Sequence, residues 1–155
     1  MVALENLAEW RRRMADSGKK LAVTNGCFDL LHLGHVTYLE NARNEADALL
    51  VGVNGDDSVR ALKGPNRPIN TEEDRAAVLA ALECVDAVCI FPEKRAARFL
   101  GVARPDVYAK GGDYTVDSLD AGERAEIEGV GGRIVILPMV AGKSTTGLVK
   151  KLQPE

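Results

Sequence analysis

The chain has 155 residues, of which 46% are hydrophobic and 28% are charged, and its formal net charge is −3. This length predicts one domain with a single core, spanning residues 1–155. The small negative charge excludes the broad positive field that is typical of nucleic-acid-binding proteins, and no apolar run approaches the roughly 18 residues of a membrane span. We therefore expect neither nucleic acid nor a membrane as a partner.

The cysteines and the N-terminus indicate the compartment. Cys27, Cys84 and Cys89 are spaced neither as a disulfide framework nor as a CxxC pair. Residues 1–17 mix Glu, Trp and Arg at helical spacing, which is unlike a signal peptide. These features predict a reduced, cytoplasmic protein.

The hydrophobic pattern changes along the chain from helical to alternating. Apolar residues at three- and four-residue intervals predict an N-terminal amphipathic helix within residues 1–18, followed by a catalytic core over residues 20–152. The predicted strands are KLAVTNG, ALLVGVN, AVCIF, DVYAKGG and RIVILP. The predicted helices are GHVTYLENARNEA, TEEDRAAVLAALECV, KRAARFLGV, DAGERAEIEGV and STTGLVKKL. Buried strands separated by helices predict a doubly wound α/β fold, a five-stranded parallel sheet with helices on both faces.

The segment GDDSVRALKGPNRPINTEED predicts a long, functional loop, because two prolines and several small polar residues interrupt any periodic pattern. The helix after it begins with a predicted capping box of Thr71 and Asp74. Val78, Leu79 and Leu82 form its predicted apolar stripe.

The two histidines of the chain, His32 and His35, lie three residues apart where the first strand leads into a helix. That spacing places both rings on one helical face, near free N–H groups and a dipole that favour an anion. Gly34 would let a phosphate approach the backbone closely. Two other interpretations remain open: histidines without function, and a zinc site with Cys27, for which no fourth ligand follows at suitable spacing.

A second candidate is the start of the last helix, where Ser144, Thr145 and Thr146 offer hydroxyls and free N–H groups to a phosphate. A simple N-cap is the alternative. The stretch is not a P-loop, because Leu137 stands where that motif requires a glycine.

The stretch KGGDY is the third candidate, at the end of the fourth predicted strand. Its two glycines allow close approach of a ligand, so Lys110 is a candidate for contact with a phosphate and Asp113 for contact with a base or sugar. An ordinary turn is the alternative.

Three cations near the predicted loop complete the candidates. Lys63, beside a glycine, is suited to close over a polyphosphate as a point charge, although a solvated lysine is the alternative. Arg67 carries a weaker signal. Arg75 opposes the dipole at its helix start, so it either pairs with Glu72 or Asp74 or faces an anion.

These groups surround phosphates without supplying a nucleophile, since nothing orients a histidine towards Cys27. Phosphoryl or nucleotidyl transfer suits such a set, because positioning and charge stabilisation carry most of that catalysis.

The stretch GCFDLLHLGH resembles the HxGH signature of a nucleotidyltransferase superfamily that includes cytidylyltransferases and pantetheine-phosphate adenylyltransferase. The similarity continues through VGVNGDDSVRALKGPNRPIN, EDRAAVLAALECVD, RPDVYAKGGDY and GKSTT, about residues 20–152. LKGPNRPIN and KGGDY make it most similar to the adenylyltransferase domains that form ADP-heptose from D-glycero-β-D-manno-heptose 1-phosphate and ATP for lipopolysaccharide.

The resemblance implies attack of the sugar 1-phosphate oxygen on the α-phosphorus of ATP, with release of pyrophosphate. It implies that His32 and His35 stabilise the transition state, with Lys63 as a further catalytic residue on the phosphates, and that Mg²⁺ accompanies ATP. The nucleotide-binding residues that it implies are Cys27, Phe28, Gly34, Lys110, Gly112, Asp113, Ser144, Thr145 and Thr146.

The sequence departs from its relatives at two positions. Met139 follows Pro138 where glycerol-phosphate cytidylyltransferases carry an arginine, and Ala141 stands where many heptose enzymes carry an acidic residue. The alternatives are a cytidylyltransferase for glycerol 3-phosphate or a similar alcohol phosphate, and a non-catalytic nucleotide-binding module. The resemblance further implies a stand-alone domain whose sugar kinase and phosphatase are separate chains, and apolar helix faces at both ends predict a homodimer.

Overall fold

The computed structural model describes residues 1–112, 114–138, 140, 142 and 145–152, and within the last range the side chains of 145 and 147–149. The strands are Leu21–Gly26 (β1), Ala48–Asn54 (β2), Ala87–Phe91 (β3), Val107–Gly111 (β4) and Arg133–Leu137 (β5). The helices are Leu7–Asp16 (α1), Leu33–Arg43 (α2), Asp56–Lys63 (α3), Glu72–Ala80 (α4), Ala97–Ala103 (α5), Ala121–Gly129 (α6) and Thr145–Leu152 (α7), and Leu4–Asn6 and Val116–Ser118 are short 3-10 helices.

The five strands form one parallel sheet in the order β3-β2-β1-β4-β5. The chain runs outward from β1 to β3 and then returns to β4 on the other side of β1. This reversal between β1 and β4 is the topological switch point, beyond which ligands bind in doubly wound sheets. The predicted fold class is confirmed.

Helices cover both faces of the sheet, and this is why β2 is buried over its whole length. On one face, Tyr38 and Leu39 of α2 pack with Leu79 of α4. On the other face, Leu7 of α1 packs in one cluster with residues of α5 and α6, including Phe99.

Gly52 sets the distance between β2 and α5. A Cβ atom added at Gly52 would lie 2.6 Å from Cε1 of Phe99 and 2.8 Å from Cζ. Only a residue without a side chain lets the Phe99 ring pack directly on the strand.

The prediction of one long loop over residues 55–74 is wrong for its first half, which forms α3. Two acidic residues in the first turn of α3 and two basic residues in its last turn complement the helix dipole. Val59 is fully buried and anchors the helix. Only the stretch between Gly64 and Asn70 connects α3 to α4 without a helix or strand.

Helix α4 follows the prediction at its start and departs from it further along. The Thr71 hydroxyl accepts a hydrogen bond from the Asp74 N–H (3.2 Å), as an N-cap does. Leu79 is fully buried and Leu82 packs against the core, but Val78 is 53% exposed, so its place in the predicted stripe is wrong.

The apolar side of α1 is used within this chain, since Trp10 and Met14 pack against the core cluster around Leu7. It therefore adds no support to the homodimer, which stays a prediction. In the part of the chain that the structure describes, no helix has the length and apolar character needed to cross a bilayer.

Candidate active site

A cleft of about 390 Å³ opens at the carboxyl ends of the strands. Residues after four of the five strands contribute to its wall, and α7, which follows β5, contributes Thr145. The predicted site residues that line it are Cys27, Phe28, His35, Lys63, Lys110 and Thr145. The fold thus brings together side chains that are more than 100 positions apart in the sequence.

His32 and His35 form a stacked pair at the start of α2. His32 is the N-cap residue and His35 is the third residue of the helix. Their ring centroids are 3.9 Å apart with an interplanar angle of 29°, and the His32 N–H donates to His35 Nδ1 (3.3 Å). His35 lines the cleft, whereas His32 is not part of the lining and stacks on the His35 ring.

The His35 ring is a neutral hydrogen-bond donor at neutral pH. Burial, reinforced by the neighbouring His32, lowers the pKa of His35 from 6.5 to about 4. Because Nδ1 accepts the His32 N–H, the single proton of the neutral ring resides on Nε2.

The loop after β1 has an unusual backbone conformation where it borders the cleft. Phe28 adopts φ of 46°, a left-handed conformation that is strained for an aromatic residue. Its ring packs 5.6 Å from the His35 ring. Burial raises the pKa of the preceding Cys27 thiol, so this cysteine is protonated and a poor nucleophile.

Asp29 fastens the loop that carries the cleft cations. This buried carboxylate accepts hydrogen bonds from Arg67 Nε, the Ile69 N–H (2.8 Å) and the Asn70 N–H (3.0 Å). Burial alone would raise the pKa of Asp29, but these donors hold it below its usual value. Arg67 is thereby held in the lining of the cleft, which Lys63 joins from the end of α3.

Arg75 is fully buried and links separate segments of the chain, so it is not an anion ligand. Its guanidinium donates to Cys27 O, to Asn54 O (2.8 Å) and to the Asp56 carboxylate (2.8 Å). The predicted pairing with Glu72 or Asp74 is wrong, since its acidic partner is Asp56 at the start of α3. Arg75 joins the ends of β1 and β2 from beneath.

Lys110 is buried at the end of β4. Its ammonium donates to Asn25 Oδ1 (2.9 Å) and lies 3.6 Å from the Glu123 carboxylate. It is also 5.0 Å from the ring centroid of Tyr108 and 5.3 Å from that of Tyr114.

The remaining predicted residues lie as follows. Gly34 lines a smaller adjoining cavity of about 180 Å³, and Gly112 is exposed outside the lining of both cavities. Thr145 donates its hydroxyl to Leu30 O (3.2 Å), which ties α7 to the loop after β1. Asp113, Ser144, the side chain of Thr146, and the positions of Met139 and Ala141 lie outside the described residues.

Several cleft residues escape the sequence patterns. Lys94 and Arg95 follow β3, Asn25 is the penultimate residue of β1, and Asn54 ends β2. A polar residue at the end of a predicted strand is the one signal that would have marked the two asparagines.

The cleft carries more cationic than anionic side chains, and each of its carboxylates is paired. Its three carboxylates face three cations, as Asp29 with Arg67, Asp120 with Arg95, and Glu123 with Lys110. Lys63 and Lys94 have no ion-pair partner among the described residues. The cleft therefore presents net positive charge to an anionic ligand.

No three His, Cys, Asp or Glu side chains in the described part of the chain are grouped as a metal site, and this includes the zinc alternative at Cys27. The carboxylates of the cleft are already occupied by cations and N–H donors. Because Mg²⁺ often binds through substrate phosphates with few protein ligands, this donor set fits a metal carried by a nucleotide and not one held by the protein.

Solved structures place the fold among known ones. A lipopolysaccharide core biosynthesis protein from Thermoplasma volcanium superposes with a TM-score of 0.65 at 28% identity, covering 79% of this chain and 98% of that one. A pantoate-beta-alanine ligase from Francisella tularensis superposes with a TM-score of 0.62 at 14% identity, covering 99% of this chain and 74% of the other, which shows the fold alone. These superpositions place the chain among doubly wound α/β domains.

The family follows from the sequence match. A family model described as Cytidylyltransferase-like matches residues 23–141, so the chain belongs to the cytidylyltransferase-like family. The family prediction drawn from the HxGH motif is confirmed.

Among curated proteins, the chain is 50% identical over 149 residues to a bifunctional protein HldE of Methylobacillus flagellatus, and 49% identical over 148 residues to one of Koribacter versatilis. Each match covers 96% of this chain and 29% of the relative. The chain therefore spans about three-tenths of the length of the curated relatives it matches.

Proposed function

We propose that the chain is an adenylyltransferase that converts heptose 1-phosphate and ATP into ADP-heptose and pyrophosphate. The observation that carries the chemistry is the neutral His35 ring, which lines the cleft at the N-terminus of α2. Similarity to the HldE proteins and to a lipopolysaccharide core biosynthesis protein supports the heptose substrate and the pathway.

In the proposed reaction, an oxygen of the sugar phosphate forms a bond to the α-phosphorus of ATP. The bond from that phosphorus to the bridging oxygen breaks, and pyrophosphate leaves with the electron pair. The attacking phosphate is already ionised, so no protein base is required. The task of the protein is to position the two phosphates and to stabilise the charge that develops between them.

The residues divide this task by position. His35 donates Nε2–H to the reacting phosphoryl group, and His32 holds the ring in that tautomer through its backbone N–H. The N-terminus of α2 adds its dipole at the same point. Lys63 contacts the phosphates of ATP, and Thr145 lies in the same lining.

Mg²⁺ would enter with ATP, where it neutralises phosphate charge. We propose that the substrates are ATP and heptose 1-phosphate, and that a kinase and a phosphatase act in the same pathway. The predicted homodimer also belongs to this proposal.

Pyrophosphate release from ATP or CTP, each with heptose 1-phosphate or glycerol 3-phosphate, tests the proposal. We expect turnover with ATP and the heptose, and little with the other pairs. Preference for CTP would indicate a cytidylyltransferase instead. Tight nucleotide binding without turnover for any pair would indicate a binding module.

A further inference from the structure

Asn25 is the penultimate residue of β1, and it lines both the large cavity and the smaller one. It is half-buried and shares both linings with His35. No motif of the sequence points to it. Its side-chain amide carries two N–H donors and one oxygen, so the direction of the amide decides what the cleft presents.

The Lys110 ammonium fixes that direction. The Asn25 amide oxygen lies 2.9 Å from the ammonium of Lys110 and 2.6 Å from the hydroxyl of Tyr108. An ammonium group has only donors, so the atom that faces it is the oxygen and not the amide nitrogen. The amide nitrogen is therefore on the side away from Lys110. Within the described part of the chain, no side chain or carbonyl accepts a hydrogen bond from it.

The residues that contact the Asn25 oxygen are themselves bonded to Glu123. Glu123 accepts hydrogen bonds from the Tyr108 hydroxyl (2.8 Å) and from the Ala96 N–H (2.9 Å), and it pairs with Lys110. Burial lowers the pKa of Lys110, and the neighbouring Glu123 carboxylate partly offsets that shift. Lys110 is consequently engaged on the protein side of Asn25.

Asn54, the other asparagine of the cleft, shows the opposite arrangement. Its amide nitrogen donates to the Ser58 hydroxyl (2.9 Å) and to Glu93 O (3.1 Å). Both N–H donors of the Asn54 amide are used within the protein, whereas the N–H donors of the Asn25 amide are available to the cleft.

We propose that the Asn25 amide donates a hydrogen bond to a non-bridging oxygen of the transferred phosphoryl group, and that Lys110 is a positioning residue that acts through Asn25. This inference rests on the proposed function. A neutral donor whose oxygen is held by a cation is polarised towards an anionic acceptor, and it needs no reorganisation during the reaction. Lys110 thus has a different role from the direct phosphate contact that the KGGDY motif suggests.

The decisive variant is Asn25→Asp, which keeps an oxygen for Lys110 and Tyr108 but replaces the free N–H donors with a second oxygen. We expect kcat/KM for pyrophosphate release to fall about 100-fold or more, the usual effect of removing one preorganised donor. The thermal midpoint should stay near that of wild type, because the contacts of the amide oxygen persist. Asn6→Asp makes the same chemical change at an exposed helix N-cap and is the matched control.

A double-mutant cycle tests the role of Lys110. Lys110→Met should lower kcat about 10-fold while the KM for ATP changes less than about 3-fold, because a mispositioned donor weakens the transition state and not nucleotide binding. In the Asn25→Asp background the same change should cost little more. If the fold-losses in kcat of the two single variants multiply in the double variant, or if the KM for ATP rises strongly, Lys110 contacts a phosphate itself. Either result would overturn its positioning role.

Wild type is assayed first with ATP and heptose 1-phosphate. Absence of turnover there counts against the proposed function. Turnover by wild type together with near-normal turnover by folded Asn25→Asp overturns the role of Asn25 and leaves the function standing. If Asn25→Asp has a lowered thermal midpoint, Asn25→Ser is compared with it, because serine restores a small hydroxyl donor. The serine variant should then be more active than the aspartate variant, and equal activity counts against the proposal.

Discussion

At the scale of single residues, the proposed catalysis depends on one ring nitrogen of His35. His35→Ala removes the Nε2 donor, and we expect kcat to fall about 100-fold. His35→Gln places an amide N–H near the former Nε2 position, so it should retain more activity than the alanine variant. Urea unfolding of both variants should change little by comparison, and a parallel loss of stability and activity would make His35 a structural residue.

The lowered pKa of His35 has a consequence that can be measured without substrate. An NMR titration should give one histidine midpoint near 4 in place of the usual 6.5. Since the unfolded chain binds this proton more readily, stability is complete above about pH 6.5 and falls as the pH drops towards 4. His35→Ala lacks this contribution, so its stability should decline less over that window. A midpoint near 6.5 would contradict the neutral donor.

At the scale of elements, α3 delivers Lys63 to the lining of the cleft. Lys63→Ala should raise the KM for ATP about 10-fold, the value of one hydrogen bond to a charged group, with a smaller effect on kcat. Lys19→Ala changes an exposed lysine outside the cleft and is the control. An unchanged KM for ATP would refute the contact.

The loops after β1 and β2 depend on Arg75 beneath them. Arg75→Met leaves the Asp56 carboxylate and the carbonyls of Cys27, Asn54 and Asn70 without their donor, so we expect a loss of about 3 kcal/mol in the free energy of unfolding. Arg98→Met breaks an exposed pair with Glu93 and should cost less than about 1 kcal/mol. Denaturant titration compares the two, and equal losses would show that Arg75 is not a brace.

The strands show how far local pattern determines structure. The bounds of β2 and β3 are those predicted, because both are continuous apolar runs with a clear end, β2 at the polar Asn54 and β3 just before Pro92. Helix α3 was missed because its acidic start and nearby prolines are typical of a loop. The partners of Arg75 and the direction of the Asn25 amide depend on segments brought together from across the sheet, so no local pattern reveals them.

At the scale of the whole molecule, the cleft concentrates positive charge that only an anion can balance. ATP at about 100 times its dissociation constant should stabilise the fold by about 2.7 kcal/mol, which raises the thermal midpoint by about 5–10 °C. Adenosine at the same concentration should raise it far less, because it carries no phosphate. Equal shifts would mean that the cations at Lys63 and Lys94 do not take part in binding.

The contact between Gly52 and Phe99 reaches further than the core. Because even a methyl group at position 52 would overlap the Phe99 ring, a larger residue at position 52 requires a smaller one at position 99. Substitutions at the two positions should therefore be correlated during evolution. Helix α5 follows the segment that bears Lys94 and Arg95, which line the cleft, so we expect a larger side chain at position 52 to displace that segment together with the helix. A glycine outside the lining of the cleft thus constrains residues that border it.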